Sequence, residues 1–338
     1  MCQIRGGISQ MTEPPTCPRP RSENTRSVEI QNCSNSPLFF SSRIQPTPDP
    51  KYTRVLAMAT GAVINNHRDR EAAFLKDITN AIRKEELLIY LQPQVNTVNG
   101  EVTGAEALVR WLRPGSGLLT PDYFVPQLEK SGRTTELTLW VLEACMVLSR
   151  NQIQTKKIQI SVNLSVHDLE FPGFVLLVES LLDRTGAQAI DFCLEMTESS
   201  IMHDLEKCLT SISRLRQLGF TFSIDDFGIG YSSLFYLSKL PIDELKIDRS
   251  FVERLHEPKQ CEILKAIIQL GLVLKLRLVA EGVEDLETYE LLAHLGCQEI
   301  QGYLIAKPML AIEFFVWLSA CNGYWRNCAG PLAIASLR

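Results

Sequence analysis

Seven short apolar runs, each carrying an acid or amide, constrain this chain more than any other feature. They are TGAEALVRW (103–111), IQISVNLS (158–165), IDFCLEMTES (190–199), FTFSIDDFG (220–228), ELKIDRSF (244–251), RLVAEGV (277–283) and EIQGYLIAKP (299–308). Runs of this length and composition suit strands covered on both faces, as in a mainly parallel sheet wrapped by helices. Between them lie segments with helical spacing, expected at 121–131, 134–149, 172–185, 204–218, 259–275, 285–296 and 311–321, preceded by a helix in 70–86 whose Ala73, Phe74, Ile78 and Ile82 mark one face. With LLIYLQPQV (87–95) there are eight strands. Eight strands alternating with helices predict an α/β barrel of about 250 residues.

One connection breaks the repeat. Only NTVNGEV, carrying the turn pair Asn99-Gly100, separates LLIYLQPQV from TGAEALVRW. A parallel crossover needs a dozen or more residues, so these two strands must form an antiparallel hairpin. The expected fold is therefore a barrel with one reversed strand.

The polar residues that interrupt or end these runs are Glu106, Asn163, Glu195, Asp225 with Asp226, Glu281 and Gln301. A single acid at a strand end is ordinary loop chemistry. A barrel, however, gathers the carboxyl ends of its strands at one face, and several carboxylates there repel one another unless cations are present. The donors are oxygens, which suits hard divalent ions. The five histidines form no HxH or HExxH pattern, which argues against zinc. Arg110 alternates to the same strand face as Glu106 and Leu108.

Composition bounds the remainder. The chain has 338 residues, 45% hydrophobic and 22% charged, with a formal charge of −5. That balance gives no basic footprint for a nucleic-acid polymer. No run approaches the roughly 18 to 20 apolar residues of a membrane span, and the opening MCQIRGGISQ lacks a signal-peptide core, so a cytoplasmic location is expected. The ten cysteines show no CxxC pair; Cys145, Cys193, Cys208 and Cys297 sit in apolar runs, and reduced buried thiols are expected. Residues 1–70, rich in Pro, Ser, Asn, Thr and Arg, read as a disordered segment, within which Met11 and Met58 offer later starts. Residues 71–321 then form the folded domain and 322–338 a C-terminal tail.

Several runs together resemble the EAL family: EALVRW (106–111), VNLS (162–165), Glu195-Met196-Thr197-Glu198, DDFGIGYSS (225–233), LKIDRSFV (245–252), VAEGVE (279–284) and QGY (301–303), in family order over roughly 72–320. The resemblance implies a modified triosephosphate-isomerase-type (β/α)8 barrel with a reversed first strand. It also implies hydrolysis of the bacterial messenger cyclic di-GMP to linear pGpG with two Mg²⁺ or Mn²⁺ ions per site. By position, Glu106, Asn163, Glu195 and Asp225 would hold one metal, with Asp225 bridging to a second held by Asp226 and Glu281. Lys246 and Gln301 would position the attacking water, with the lysine's pKa lowered beside the cations; Glu281 is also a candidate general base, and both assignments stay open. Gln92, Leu108 and Arg110 match substrate-contacting positions. Glu198 would anchor the DDFGIGYSS loop, which the resemblance links to a homodimer through a short helix at SSLFYLSKL (232–240). Ile229 departs from the threonine usual there.

The absence of a GG(D/E)EF motif argues against synthesis of the messenger. The competing expectation is an impaired EAL domain that binds cyclic di-GMP or a protein without hydrolysis. Such relatives typically lose the EAL glutamate, the paired aspartates or the lysine, all present here. An unrelated barrel hydrolase acting on another phosphoester is the remote third. A shift from biofilm towards motility would be the downstream effect implied by the resemblance.

Overall fold

In the computed structural model, the described residues are 73–150, 157–198, 205–229, 237 and 239–328, so the segment 1–70 lies outside them. After helix α1 (73–83), strand β1 (Leu87–Asn96) turns back through Asn96 to Gly100 into β2 (Val102–Arg113). Asn96 Oδ1 accepts from the backbone N–H groups of Val98 and Asn99, and Gly100 takes a positive φ of 73°, so the Asn-Gly pair closes the hairpin as its chemistry requires. β1 and β2 are antiparallel from Leu87 opposite Trp111 to Val95 opposite Val102.

From β2 the sheet continues in parallel through β4 (Gln159–Asn163), β5 (Phe192–Thr197), β6 (Thr221–Phe227), β7 (Glu244–Ile247), β8 (Arg277–Ala280) and β9 (Glu299–Gln301). β9 returns to β1 in antiparallel register and closes an eight-stranded barrel whose single reversed strand is β1. Two short strands are appended and were not foreseen: β3 (Gly117–Leu119) on the end of β2, and β10 (Met309–Leu310) on β1.

The helices are α2 (Pro121–Lys130), α3 (Thr134–Arg150), α4 (Val166–Glu170), α5 (Phe174–Thr185), α6 (Leu205–Leu218), α7 (Arg249–Val252), α8 (Pro258–Val273), α9 (Leu286–Leu295) and α10 (Ala311–Ala320). The expected long helices are present within about one turn at their ends. The extra α4 follows from a capping box: Ser165 and Asp168 bond each other's backbone N–H, and Asp168 also accepts from Thr134, Thr135 and Thr138 of α3. Expected strands 244–251, 277–283 and 299–308 are cut short after Ile247, Ala280 and Gln301. Asp248 caps α7, while Gly282 and Gly302 leave the ladder.

Strand alternation separates two environments. Phe192, Leu194, Phe222, Ile224, Leu245, Ile247, Leu278, Ala280 and Ile300 are buried and alternate with polar residues, so they face the helices. The opposite positions, including Ser161, Glu195, Ser223, Glu244, Lys246, Glu299 and Gln301, are buried as well but point into the barrel. The runs that looked near-continuously apolar therefore enclose a polar interior.

The reduced state holds for Cys145, Cys193, Cys208, Cys261 and Cys297. It is corrected for Cys321 and Cys328, which form a disulfide. The chain doubles back after α10, so their Cα atoms are 4.9 Å apart, within bridging range. The turn between them packs on the barrel foot, where the Val102 and Trp325 N–H groups bond the carbonyls of Gly323 and Gly100. Residues 322–328 thus join the folded body.

Candidate active site

The C-terminal strand ends converge on one side chain. Lys246 Nζ lies 2.6 Å from Glu281 Oε1, 3.0 Å from Glu195 Oε2, 3.2 Å from Asp225 Oδ1 and 3.4 Å from Glu106 Oε2. These residues belong to the loop after β8 and to β5, β6 and β2, with Lys246 on β7. Lys246 is completely buried. Burial alone would lower its pKa, but Asp225, Glu106, Glu195 and Glu281 together raise it well above the ordinary lysine range.

The same crowding sorts the acids. Burial pushes Glu195 well above the carboxylate range, with Lys246 opposing and Glu106, Asp225 and Glu244 adding to it. Burial likewise raises Glu281 to about 8 against the pull of Lys246. Burial would raise Glu106 too, but Lys246 and hydrogen bonds from Gln301 and Asn163 hold it below its usual value.

An amide lattice positions Glu106. Gln301 Nε2 donates to Glu106 Oε2 at 2.6 Å and to Gln92 Oε1 at 3.1 Å, while Asn163 Nδ2 donates to Glu106 Oε1 at 3.2 Å. Gln92 Nε2 donates in turn to the Ala306 carbonyl. Gln94, unassigned in the sequence reading, donates to Gln301 Oε1 at 3.0 Å and fixes the amide's orientation. Its spacing from Gln92, two residues along one strand, was the signal that both face the interior.

Two consecutive aspartates in a regular strand would aim at opposite faces. Here β6 breaks register against β7 between Ile224 and Phe227, and Asp226 adopts a left-handed φ of 55°. Such bulges re-aim side chains near active sites, and aspartate is among the residues that tolerate this backbone. Asp226 N–H donates to Asp225 Oδ1, and burial followed by repulsion from Asp225 and Asp248 raises the Asp226 pKa. Just beyond, buried Glu198 accepts from Gly228 N–H at 3.0 Å, which ties down the start of the DDFGIGYSS loop. Ile229 is 62% exposed there. Of the expected helix 232–240, only Leu237, Lys239 and Leu240 fall within the described residues.

Arg110 and Leu108 stand on β2 toward the mouth, both half-buried. The Arg110 guanidinium sits 5.6 Å from the Tyr90 ring centroid and donates to the Val109 carbonyl. Burial lowers its pKa, with Tyr90 and Glu106 opposing.

Gly302 joins the two loops that carry Gln301 and Glu281. A Cβ there would come within 2.1 Å of the Val283 carbonyl oxygen and 2.3 Å of its nitrogen, both backbone atoms that cannot step aside. The contact is locked by Val283 N–H on the Gln301 carbonyl and Leu304 N–H on the Val283 carbonyl. Gly302→Ala is expected to destabilise the fold by about 3 kcal/mol, the upper end for overpacking. Urea unfolding measures this, and an unchanged midpoint would contradict the contact.

The donor set fits a hard divalent cation in chemistry: carboxylate and amide oxygens, with Glu195 Oε1 fully buried and without a hydrogen-bond partner. With the Lys246 ammonium at their centre, no group of three or more acidic, histidine or cysteine side chains among the described residues is spaced to hold an ion as it stands. A cation entering this ring would take over charge that Lys246 now balances.

A closed α/β barrel with one reversed strand and an acidic, amide-lined C-terminal rim defines the class of protein. The EAL domain profile matches residues 75–308. The chain belongs to the EAL domain family. It is 39% identical over 251 residues to the bifunctional diguanylate cyclase/cyclic di-GMP phosphodiesterase MucR of Pseudomonas aeruginosa, covering 73% of this chain and 37% of that protein. It is 38% identical over 268 residues to the cyclic di-GMP phosphodiesterase NbdA of the same organism, covering 78% and 34%. The chain thus spans just over a third of these curated relatives' length. A solved structure titled as the PaMucR phosphodiesterase in complex with c-di-GMP superposes with a TM-score of 0.68 at 40% identity, over 72% of this chain and 99% of that one.

Proposed function

We propose that this chain hydrolyses cyclic di-GMP to linear pGpG with divalent cations. The observation that carries the reading is the convergence of Glu106, Glu195, Asp225 and Glu281 on buried Lys246 at the barrel rim, in a family whose relatives are named for this reaction. Glu106, Asn163, Glu195 and Asp225 would hold one Mg²⁺ or Mn²⁺, and Asp225, Asp226 and Glu281 a second. Bound there, the cations supply the charge that neutralises the phosphodiester and activates water.

The chain's own residues do the rest in this reading. Gln301, fixed by Gln92, Gln94 and Glu106, holds the water's orientation with its amide. Lys246 Nζ lies 2.6 Å from Glu281 Oε1, so in this reading the two act as a pair on the attacking water, Glu281 as the proton acceptor and Lys246 as the group that orients it. Arg110, stacked on Tyr90, presents its fork to a substrate phosphate, with Gln92 and Leu108 beside it. Glu198 keeps the DDFGIGYSS loop in place, and a homodimer through that region belongs to the same proposal. So do a folded domain that begins at 71 and takes in 322–328, a cytoplasmic location and an effect on biofilm and motility. No helix among the described residues is long and apolar enough to cross a membrane.

Purified full-length protein with cyclic di-GMP and Mg²⁺ or Mn²⁺ is expected to release pGpG, followed by chromatography. Replacing these ions by Ca²⁺ should leave binding but stop turnover, because its looser coordination and larger radius misplace the reacting groups. Binding without turnover in every metal would favour the receptor reading, for which exposed Ile229 in the loop is the motif departure. Undiminished turnover with Ca²⁺ alone would argue against this site.

A further inference from the structure

Below the acidic ring the barrel interior stays polar. Ser223 lies two residues before Asp225, Glu244 two before Lys246, and Glu299 two before Gln301, so each points inward one layer deeper. Register makes them neighbours: Glu195 pairs with Ser223, Ser223 with Glu244, and Glu244 with Arg277. Ser223 and Glu244 are 0% exposed and Glu299 5%.

Ser223 Oγ, Glu244 Oε1 and Glu299 Oε2 have no hydrogen-bond partner among the described residues. Glu244 Oε2 forms an ion pair with Arg277 Nη2 at 2.6 Å. Arg277 is itself one-third exposed. With Leu272, Lys275, Gln298 and Glu299 it lines an open depression at the N-terminal ends of β8 and β9, the end of the barrel opposite the acidic ring. Buried polar oxygens in native proteins are hydrogen-bonded, and ordered water serves where no protein group reaches.

We infer that the lower barrel is a hydration site: a short file of ordered water molecules runs from the Arg277 depression past Glu299 and Glu244 to Ser223. Water fits these groups better than a metal ion does. It can donate to both carboxylates and either donate to or accept from the serine. One carboxylate already faces a guanidinium, and no metal-holding group of three or more acidic, histidine or cysteine side chains occurs among the described residues. The file exchanges water with solvent through the foot. This inference stands independently of the reaction proposed at the rim.

Oxygen-17 magnetic relaxation dispersion on the full-length protein counts internal waters that outlast molecular tumbling. Wild type is expected to show them, and Ser223→Val, which replaces the hydroxyl with apolar bulk, to lose the amplitude of at least one. Equal amplitudes in the two proteins would overturn the inference. A high-resolution crystal structure of the wild type tests it without any substitution: density about 2.7–3.2 Å from both Ser223 Oγ and Glu244 Oε1 is expected. Direct Glu244–Glu299 contact with no density between them would overturn it. So would an anomalous peak there after a rubidium soak, since a cation would then be the occupant.

Discussion

Glu106→Ala is expected to remove hydrolysis of cyclic di-GMP while the barrel stays folded. Glu106 stands at the rim and is held by Gln301 and Asn163, so its loss would take one of the proposed oxygen ligands and untie the amide proposed to orient water. Turnover should fall more than about 100-fold, the upper end for losing an outer partner of a metal site. The cost to stability is smaller. Two amide donors lose their acceptor, at about 1–3 kcal/mol for an unsatisfied buried group, while repulsion with Glu195, Asp225 and Glu281 is relieved. Chromatographic assay of pGpG beside urea unfolding separates the two effects. Near-normal hydrolysis by this variant would remove Glu106 from the site.

Lys246→Met should have the opposite balance, with a large effect on the cation-free fold. It deletes the ammonium that four carboxylates share and leaves them buried against one another. Breaking a buried ion pair by removing one partner costs about 3–5 kcal/mol. Mg²⁺ or Mn²⁺ should recover much of that loss, because a divalent ion bound among the same carboxylates replaces the missing charge and stabilises by mass action. Turnover should be lost with or without this recovery, as the residue orienting Glu281 is gone. Thermal unfolding of both proteins with and without Mn²⁺ is the measurement. A deficit that Mn²⁺ leaves unchanged would mean that cations do not enter this ring.

Parts of this site were readable residue by residue. Glu106, Asn163, Glu195, Asp225, Glu281 and Gln301 stand out because each interrupts or ends an apolar run, and a barrel has only one face for such ends. Gln94 escaped notice because a buried glutamine in a strand is uninformative until its partner is known, and that partner, Gln301, lies 207 positions away. The Asp225–Asp226 bulge was equally hidden. It is a mismatch between β6 and β7, and one strand's sequence does not contain its neighbour's register. The Cys321–Cys328 bridge depended on a reversal of the chain after α10 that spacing alone does not specify.

Local chemistry settled the alternation of strands and helices, since side-chain periodicity is a property of each segment. It also settled the reversed strand, since seven residues cannot cross a barrel, and it supplied oxygen rather than sulfur or imidazole donors at the strand ends. Tertiary structure alone decided that four carboxylates share one buried ammonium, and that the interior beneath them is polar. Charge repulsion and burial act through space, and the groups they couple come from five strands or strand ends that only closure of the barrel brings together.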